Sequence, residues 1–331
     1  MPTLGLSNTV AFTNIKDRND FPALRVWGTI GWIVAGLVVG GLGMSSSPKI
    51  FTMAGVAGVL LGLLCFALPK TPPPSRDKPI SIGTLFMVDA LKLMTSIPFA
   101  VFIICSMLVC IPLAYYYAYT AVYLPQIGFQ ATASTMALGQ ISEIFFMLLV
   151  PFFFRKLGVK VMILIGMLGW VARYALFAMG APDQVVWMIL AGVILHGVCY
   201  DFFFVTGFMY TDNKAPKEVR GQAQALLVFF TQGLGMFFGY WIAEIKFEAL
   251  RQQSDALSAA IETTTFGFWE SFGKMFLAQK PEVDASITQA AMEGWKTFWM
   301  FPCFMALAIA LVFAITFWDK YKEEDANNPE Q

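Results

Sequence analysis

The chain has 331 residues, 57% hydrophobic and only 13% charged, with a formal net charge of zero and a mean hydropathy of +0.64. A soluble domain carries roughly a quarter charged residues, so this balance points to a lipid environment, and the zero net charge argues against a polyanionic partner such as nucleic acid. The single histidine excludes an H-E-x-x-H or His-rich metal site, no P-loop is present, and neither an enzymatic activity nor a cofactor is expected.

The first residues, Met-Pro-Thr-Leu-Gly-Leu, have no basic n-region and predict no cleavable signal peptide. Pro2–Ile15 is a short, rather polar stretch, long enough for part of a membrane crossing. Eight segments then reach the roughly 20 apolar residues that a crossing needs: 25–43, 50–69, 97–124, 132–154, 160–180, 185–209, 222–245 and 296–318. Backbone exposed to lipid must satisfy its own hydrogen bonds, so each is predicted helical. The fold class is an all-α polytopic membrane protein of about eight complete transmembrane helices plus a partial first one. Gly36–Gly43 reads as a small-residue face for close helix packing.

The proline-rich stretch 70–92 reads as a solvated linker between two bundles. It divides the chain into an N-terminal helical part (1–69) and a six-helix C-terminal bundle (93–319), followed by a charged tail (320–331). The polar stretch 246–296 interrupts the second bundle. Its Phe266, Phe268, Trp269, Phe272, Met275 and Phe276 alternate with Glu270, Lys274 and Lys280, which suggests either an amphipathic helix on the membrane surface or a plain spacer. Two and a half helices before the linker and six after it lead to the expectation that about three N-terminal helices are missing, and that the chain alone transports nothing. Alternate loops collect fourteen of the twenty-two Lys and Arg on one side, including Lys16, Lys70, Arg155 and Lys214, against Lys49 alone in the short loops of the other. That asymmetry puts the linker and the C-terminus in the cytoplasm. Cys65, Cys105, Cys110, Cys199 and Cys303 lie in apolar stretches without C-x-x-C spacing and are read as buried thiols.

Ionisable groups at bilayer depth are expensive, which makes each a functional candidate. Arg25, Thr29 and Trp32 stand at i, i+4 and i+7 on one helix, and Gln140 and Glu143 at i and i+3 on another. His196 is followed at i+4 by Tyr200, then by Asp201. The plain alternatives are snorkelling for Arg25, packing for His196 and a structural pairing for Arg173 with a carboxylate or backbone. An interfacial belt would account for Tyr115, Tyr116, Tyr117, Tyr119 and Tyr123. Rings, an amide, hydroxyls and two carboxylates on convergent faces suit an aromatic, multiply hydroxylated solute better than an ion or a lipid. Asp201 and Glu143 are the candidates for proton coupling, Asp201 the preferred one.

At these residues the sequence resembles the nucleoside:proton symporters of the major facilitator superfamily. The matches are Met-Pro-Thr-Leu-Gly-Leu-Ser-Asn-Thr at 1–9, Phe-Pro-x-x-Arg-x-Trp-Gly-Thr-Ile-Gly at 21–31, Gln-Ile-Ser-Glu at 140–143 and Pro-Phe-Phe at 151–153. Arg-Tyr-Ala-Leu-Phe-Ala at 173–178 and Asp-Phe-Phe at 201–203 complete them. The resemblance implies two major-facilitator bundles, with residues 1–15 corresponding to the fourth of twelve helices. It also implies alternating access in a bacterial inner membrane, nucleoside and protons as partners, and binding by Arg25, Thr29, Trp32, Gln140, Glu143, His196 and Tyr200. Trp32 and Tyr200 stand where the family has Phe, His196 where it has Tyr, and Ala114 and Tyr117 where it presents Gln and Asn. A carrier of another polar solute such as a sugar, or a membrane scaffold or sensor, are the alternatives. A monomer is expected.

Overall fold

Because hydrocarbon offers the backbone no partners, all regular structure among the described residues is helical, without a strand. The computed structural model describes residues 2–41, 48–72, 83, 87–262 and 266–319. In chain order, α1 is Pro2–Asn14, α2 Phe21–Gly41, α3 Lys49–Leu64, α4 Ile97–Ile127 and α5 Thr132–Gly180. They are followed by α6, Val186–Lys214; α7, Arg220–Ala260; α8, Phe268–Gly273; and α9, Ala285–Thr316. The centre of the proline-rich linker and the tail 320–331 lie outside the described residues.

Among the described residues six stretches are long and apolar enough to cross a bilayer: Lys49–Ala67, α4, α5, α6, α7 and α9. Two expected spans, 132–154 and 160–180, run together as the 49 residues of α5, in which Gly158 leaves helical geometry at φ 70°, ψ 172°. Glycine adopts that left-handed φ without the penalty a Cβ would bring, so two helical arms meet there. The expected 25–43 span is seen as α2, a helix of 21 residues.

The stretch 246–296 departs from a continuous surface element. The helix that begins at Arg220 runs on to Ala260 and buries Phe247, Leu250, Ser254 and Leu257, one face at i, i+3, i+7 and i+10. Residues from Ala285 already belong to α9, leaving only the six-residue α8 between them. Gln126 at the end of α4 clasps these extensions: its amide donates to Ser254 Oγ at 2.8 Å and Ser258 Oγ at 2.7 Å, while its oxygen accepts from Trp295 Nε1 at 2.6 Å.

The core lies in the half after the linker, where α5 packs on α9 and α6 while α4, α7 and α9 pack on one another. Buried aromatic rings fill it, with Trp295 stacked on Trp299 and Trp299 on Tyr174. Tyr174 and Tyr123 give their hydroxyl protons to the carbonyls of Pro112 and Phe177. By contrast α3 buries no residue, and Phe51 and Phe66 stand open on it, as on a span that faces lipid tails. Cys65, expected to be buried, is exposed there because nothing covers this segment; the other four cysteines are buried, and all five are free thiols.

The two halves meet through α1 on the start of α7 and α2 on α5. Gly5 approaches the backbone of Ala225 closely, and Gly221 lies against Thr9.

Candidate functional site

The site is built where α2 crosses α5 and α6. Its foundation is a break in α6: the helix ends at Ile194, Leu195 turns, and a new helical segment starts at His196. Ser142 of α5 bridges the break, its hydroxyl donating to Ile194 O at 2.6 Å and accepting from Gly197 N at 3.0 Å. Side chains of this kind commonly satisfy backbone groups freed at helix interruptions. The crossing is tight: a Cβ on Gly197 would sit 2.5 Å from the Ser142 carbonyl, and one on Gly139 3.0 Å from His196 Cβ. Only glycine lets the two backbones approach so far, and the approach brings His196 beside Glu143.

Five candidate side chains form one chain of contacts. Thr29 Oγ1 donates to Glu143 Oε1 at 2.6 Å, joining segments on either side of the linker. Glu143 Oε2 lies 3.7 Å from His196 Nε2, an electrostatic contact longer than a hydrogen bond. The His196 ring packs against Tyr200 with centroids 5.7 Å apart. Arg25 Nη2 donates to Tyr200 Oη at 3.1 Å, closing the circuit back to α2. Glu143 and His196 are 6% and 2% exposed, so these are charges and dipoles withdrawn from lipid and water alike.

Asp201 follows directly and is fully buried, with neither carboxylate oxygen hydrogen-bonded. It lies within electrostatic reach of both Glu143 and Arg25. It also opens a π-helical segment, Asp201–Val205, and wider turns of this kind are frequent at functional sites. Gln140 is half-buried one turn before Glu143 and makes no hydrogen bond to the cluster. Trp32 is 70% exposed and stands outside the chain of contacts, beyond the level at which α5 and α6 cover α2.

The run of five tyrosines does not act as one patch. Successive residues turn 100° around a helix, so the rings scatter. Tyr115 packs on Phe298 and Phe301, Tyr119 donates to Glu244 and stacks on Phe247, and Tyr123 faces Trp295 and Trp299. Only Tyr116 and Tyr117 reach the site, Tyr116 stacked on His196 at 5.4 Å and 18°, Tyr117 edge-on at 6.3 Å. Ala114 is buried where α4 meets Gly239 of α7. Sequence reasoning did not single out Ser142 or the stacking role of Tyr116; the run of identical residues gave no sign of which ring would face inward. Arg173 bonds the Gly192 carbonyl at 3.0 Å and lies over Tyr116, which is the backbone alternative of its two expected structural pairings.

A cavity of about 500 Å³ opens elsewhere, between the end of α4 and the connection 260–283, and none of the candidate residues lines it. Among the described residues no group of three or more His, Cys, Asp or Glu is placed to hold a metal ion.

A largely buried circuit of guanidinium, phenol, imidazole, carboxylate and hydroxyl thus lies where the two halves cross. The profile of the family described as Nucleoside H+ symporter matches residues 1–323. The chain belongs to this family. It is 37% identical over 327 residues to the putative nucleoside transporter YegT of Escherichia coli K12, which covers 96% of the chain and 69% of that protein. To the nucleoside permease NupG of the same organism it is 31% identical over 255 residues, 72% of the chain and 61% of the permease. A crystal structure of a mutant of NupG superposes with a TM-score of 0.68 at 25% identity, covering 96% of this chain and 74% of that one. As a Nucleoside H+ symporter family member, the chain is a multi-pass, all-α membrane protein whose relatives are permeases and transporters, not enzymes.

Proposed function

We propose that the chain takes part in proton-coupled nucleoside transport, with the substrate held where α2 crosses α5 and α6. The observation that carries this reading is the circuit Arg25–Tyr200–His196–Glu143–Thr29, which joins residues from both sides of the linker through polar and aromatic groups. A ribose offers hydroxyls to carboxylate and amide, and a nucleobase offers an aromatic face to Tyr200, His196 and Tyr117. The family and the nucleoside transporters it resembles support the same reading. Gln140, one turn before Glu143, completes the binding set, and Asp201 takes the coupling proton. Alternation of access between the two helical halves moves the site from one face of the membrane to the other. The membrane is the bacterial inner membrane, the C-terminus is cytoplasmic and the protein is monomeric.

The test is equilibrium binding of labelled uridine to the purified chain, with unlabelled nucleosides and free sugars as competitors. Displacement by nucleosides and not by sugars is expected. Displacement by a sugar alone overturns the reading in favour of a sugar carrier, and absence of binding overturns it altogether.

A further inference from the structure

Among the described residues, Arg173 is the one fully buried guanidinium of the core: its residue exposure is 0%, midway along the second arm of α5. A charge at that depth is costly and ordinarily comes with a full set of partners. Arg173 lacks them. Its Nε donates to the Gly192 carbonyl at 3.0 Å, but neither Nη1 nor Nη2 has a hydrogen-bond partner among the described residues. The polar and titratable groups within electrostatic reach are Tyr116, Tyr117, Tyr174, Cys199 and His196; no carboxylate is among them. A side chain so incompletely satisfied is a poor structural strut, and a hydrophobic side chain of similar volume would cost the fold less.

What the guanidinium does have is a ring. Its Cζ lies 4.2 Å from the centroid of Tyr116, over the face where the negative quadrupole attracts a cation. Tyr116 also packs parallel to His196, within 18° at 5.4 Å, and to Phe177, within 17° at 6.4 Å. The Tyr116 ring therefore touches both the guanidinium and the imidazole, and the imidazole presents Nε2 to Glu143 at 3.7 Å. His196 Nδ1 has no hydrogen-bond partner among the described residues, and none of these fixes the orientation of this ring by a direct bond. Around Glu143 stand Arg25, Thr29, His196 and, within electrostatic reach, Asp201, Tyr117 and Tyr200.

We propose that Arg173 is a positioning residue of the transport site, acting through the face of Tyr116 to hold the His196 imidazole against Glu143. The proposal rests on the nucleoside reading for its functional half and on geometry alone for its structural half. It adds a member to the site from a helix arm that carries none of the other candidates. The arm 159–180 thereby gains a mechanical link to the Glu143 carboxylate.

The test separates the two halves. His196 is the only histidine, so selective isotope labelling gives a single imidazole spectrum from the full chain, with no ligand needed. In the unmodified protein the ring protons should carry the shift of a face-to-face aromatic neighbour and one tautomer should dominate. Arg173→Met should collapse that shift and average the tautomers, and Arg173→Lys, a point charge without the planar fork, should recover only part of it. Tyr116→Leu should reproduce the Arg173→Met spectrum and Tyr116→Phe should not, which keeps the test alive if one variant fails to fold. In the same samples, at unchanged melting temperature, Arg173→Met should weaken uridine binding about tenfold, the scale of a residue that couples to a site without touching its ligand. It should also displace the midpoint of the pH profile of binding, which a merely structural role would leave in place. An unchanged His196 spectrum in Arg173→Met overturns the proposal, as does unchanged uridine affinity. If the unmodified chain binds no uridine, the nucleoside reading falls, and the His196 spectrum still decides whether Arg173 sets the imidazole.

Discussion

Glu143 is held by one hydroxyl. Thr29 donates to it at 2.6 Å from a helix that precedes it by more than a hundred residues, and the carboxylate has no other hydrogen bond as short. Hydrogen bonds to charged groups contribute about 1.5–3 kcal/mol, more than neutral ones, because the low surrounding polarity strengthens them. Thr29→Val preserves the shape and removes the donor. Nucleoside affinity is expected to fall by roughly tenfold or more, read by uridine titration, while Thr29→Ser should retain most of it. Equal loss in the Val and Ser variants would mean that the methyl group, not the hydrogen bond, matters. The spacing of Arg25 and Thr29 made their shared face legible in the sequence, and helical depth marked Glu143. That Thr29 would meet Glu143 was not legible, because the pairing depends on how α2 lies across α5, and periodicity within one helix carries no information on crossings. Trp32 obeys the same i+7 spacing and still ends exposed, for the same reason.

At the scale of elements, the break in α6 is the feature that sets the site. A helix running unbroken through Leu195 would not place Ser142 between Ile194 and Gly197. Gly197→Ala puts a methyl 2.5 Å from the Ser142 carbonyl, a backbone atom that cannot rotate away. Overpacking of this kind costs about 1–3 kcal/mol. A lowered melting temperature in detergent is expected, together with a displaced His196 spectrum; a stable variant with an unaltered spectrum would show that the crossing is looser than described. Neither the break nor the π-helical segments Asp201–Val205 and Phe229–Gly235 were visible in the apolar pattern, which reads each span as one uniform helix. In the stretch 246–296 the charges stand out in the sequence more than the spacing of Phe247, Leu250 and Leu257, which repeat on one face of the continuing helix. The start of α9 offers a pH prediction. Asp284 accepts from the hydroxyl and the amide of Ser286, and these bonds hold its carboxyl below the ordinary carboxylate value. Its folded value lies under its unfolded one, so the cap is fully formed above the unfolded value and is lost as pH falls through the folded value. Amide exchange at Ser286, Ile287 and Thr288, measured relative to the unfolded chain, is expected to lose protection below that range, and Asp284→Ala should lose it at neutral pH. Protection that persists in Asp284→Ala would remove the cap from the account.

For the molecule as a whole the question is how a proton is tied to a solute. The charges around the site divide into Arg25 and Arg173 against Glu143 and Asp201, and only Arg25 lies within electrostatic reach of both carboxylates. Glu143 is already engaged with Thr29, whereas Asp201 is fully buried with no hydrogen-bond partner on either oxygen. A coupling group has to exchange its proton without surrendering a substrate contact, and Asp201 is the carboxylate free to do so. It stands at the head of a π-helical segment, directly after the helical segment of α6 that carries His196 and Tyr200. Asp201→Asn keeps the size and polarity of the side chain and removes its titration. In proteoliposomes of a full-length homologue, Asp201→Asn made at the matching position is expected to retain uridine binding and uridine exchange across the membrane, and to lose accumulation driven by an imposed proton gradient. Counterflow and gradient-driven uptake measured on the same vesicles, alongside the unmodified homologue, make the comparison. Accumulation by the variant equal to that of the unmodified homologue would remove Asp201 from the coupling step and leave Glu143 as the carboxylate that carries it. Loss of exchange together with accumulation would place Asp201 in substrate binding instead.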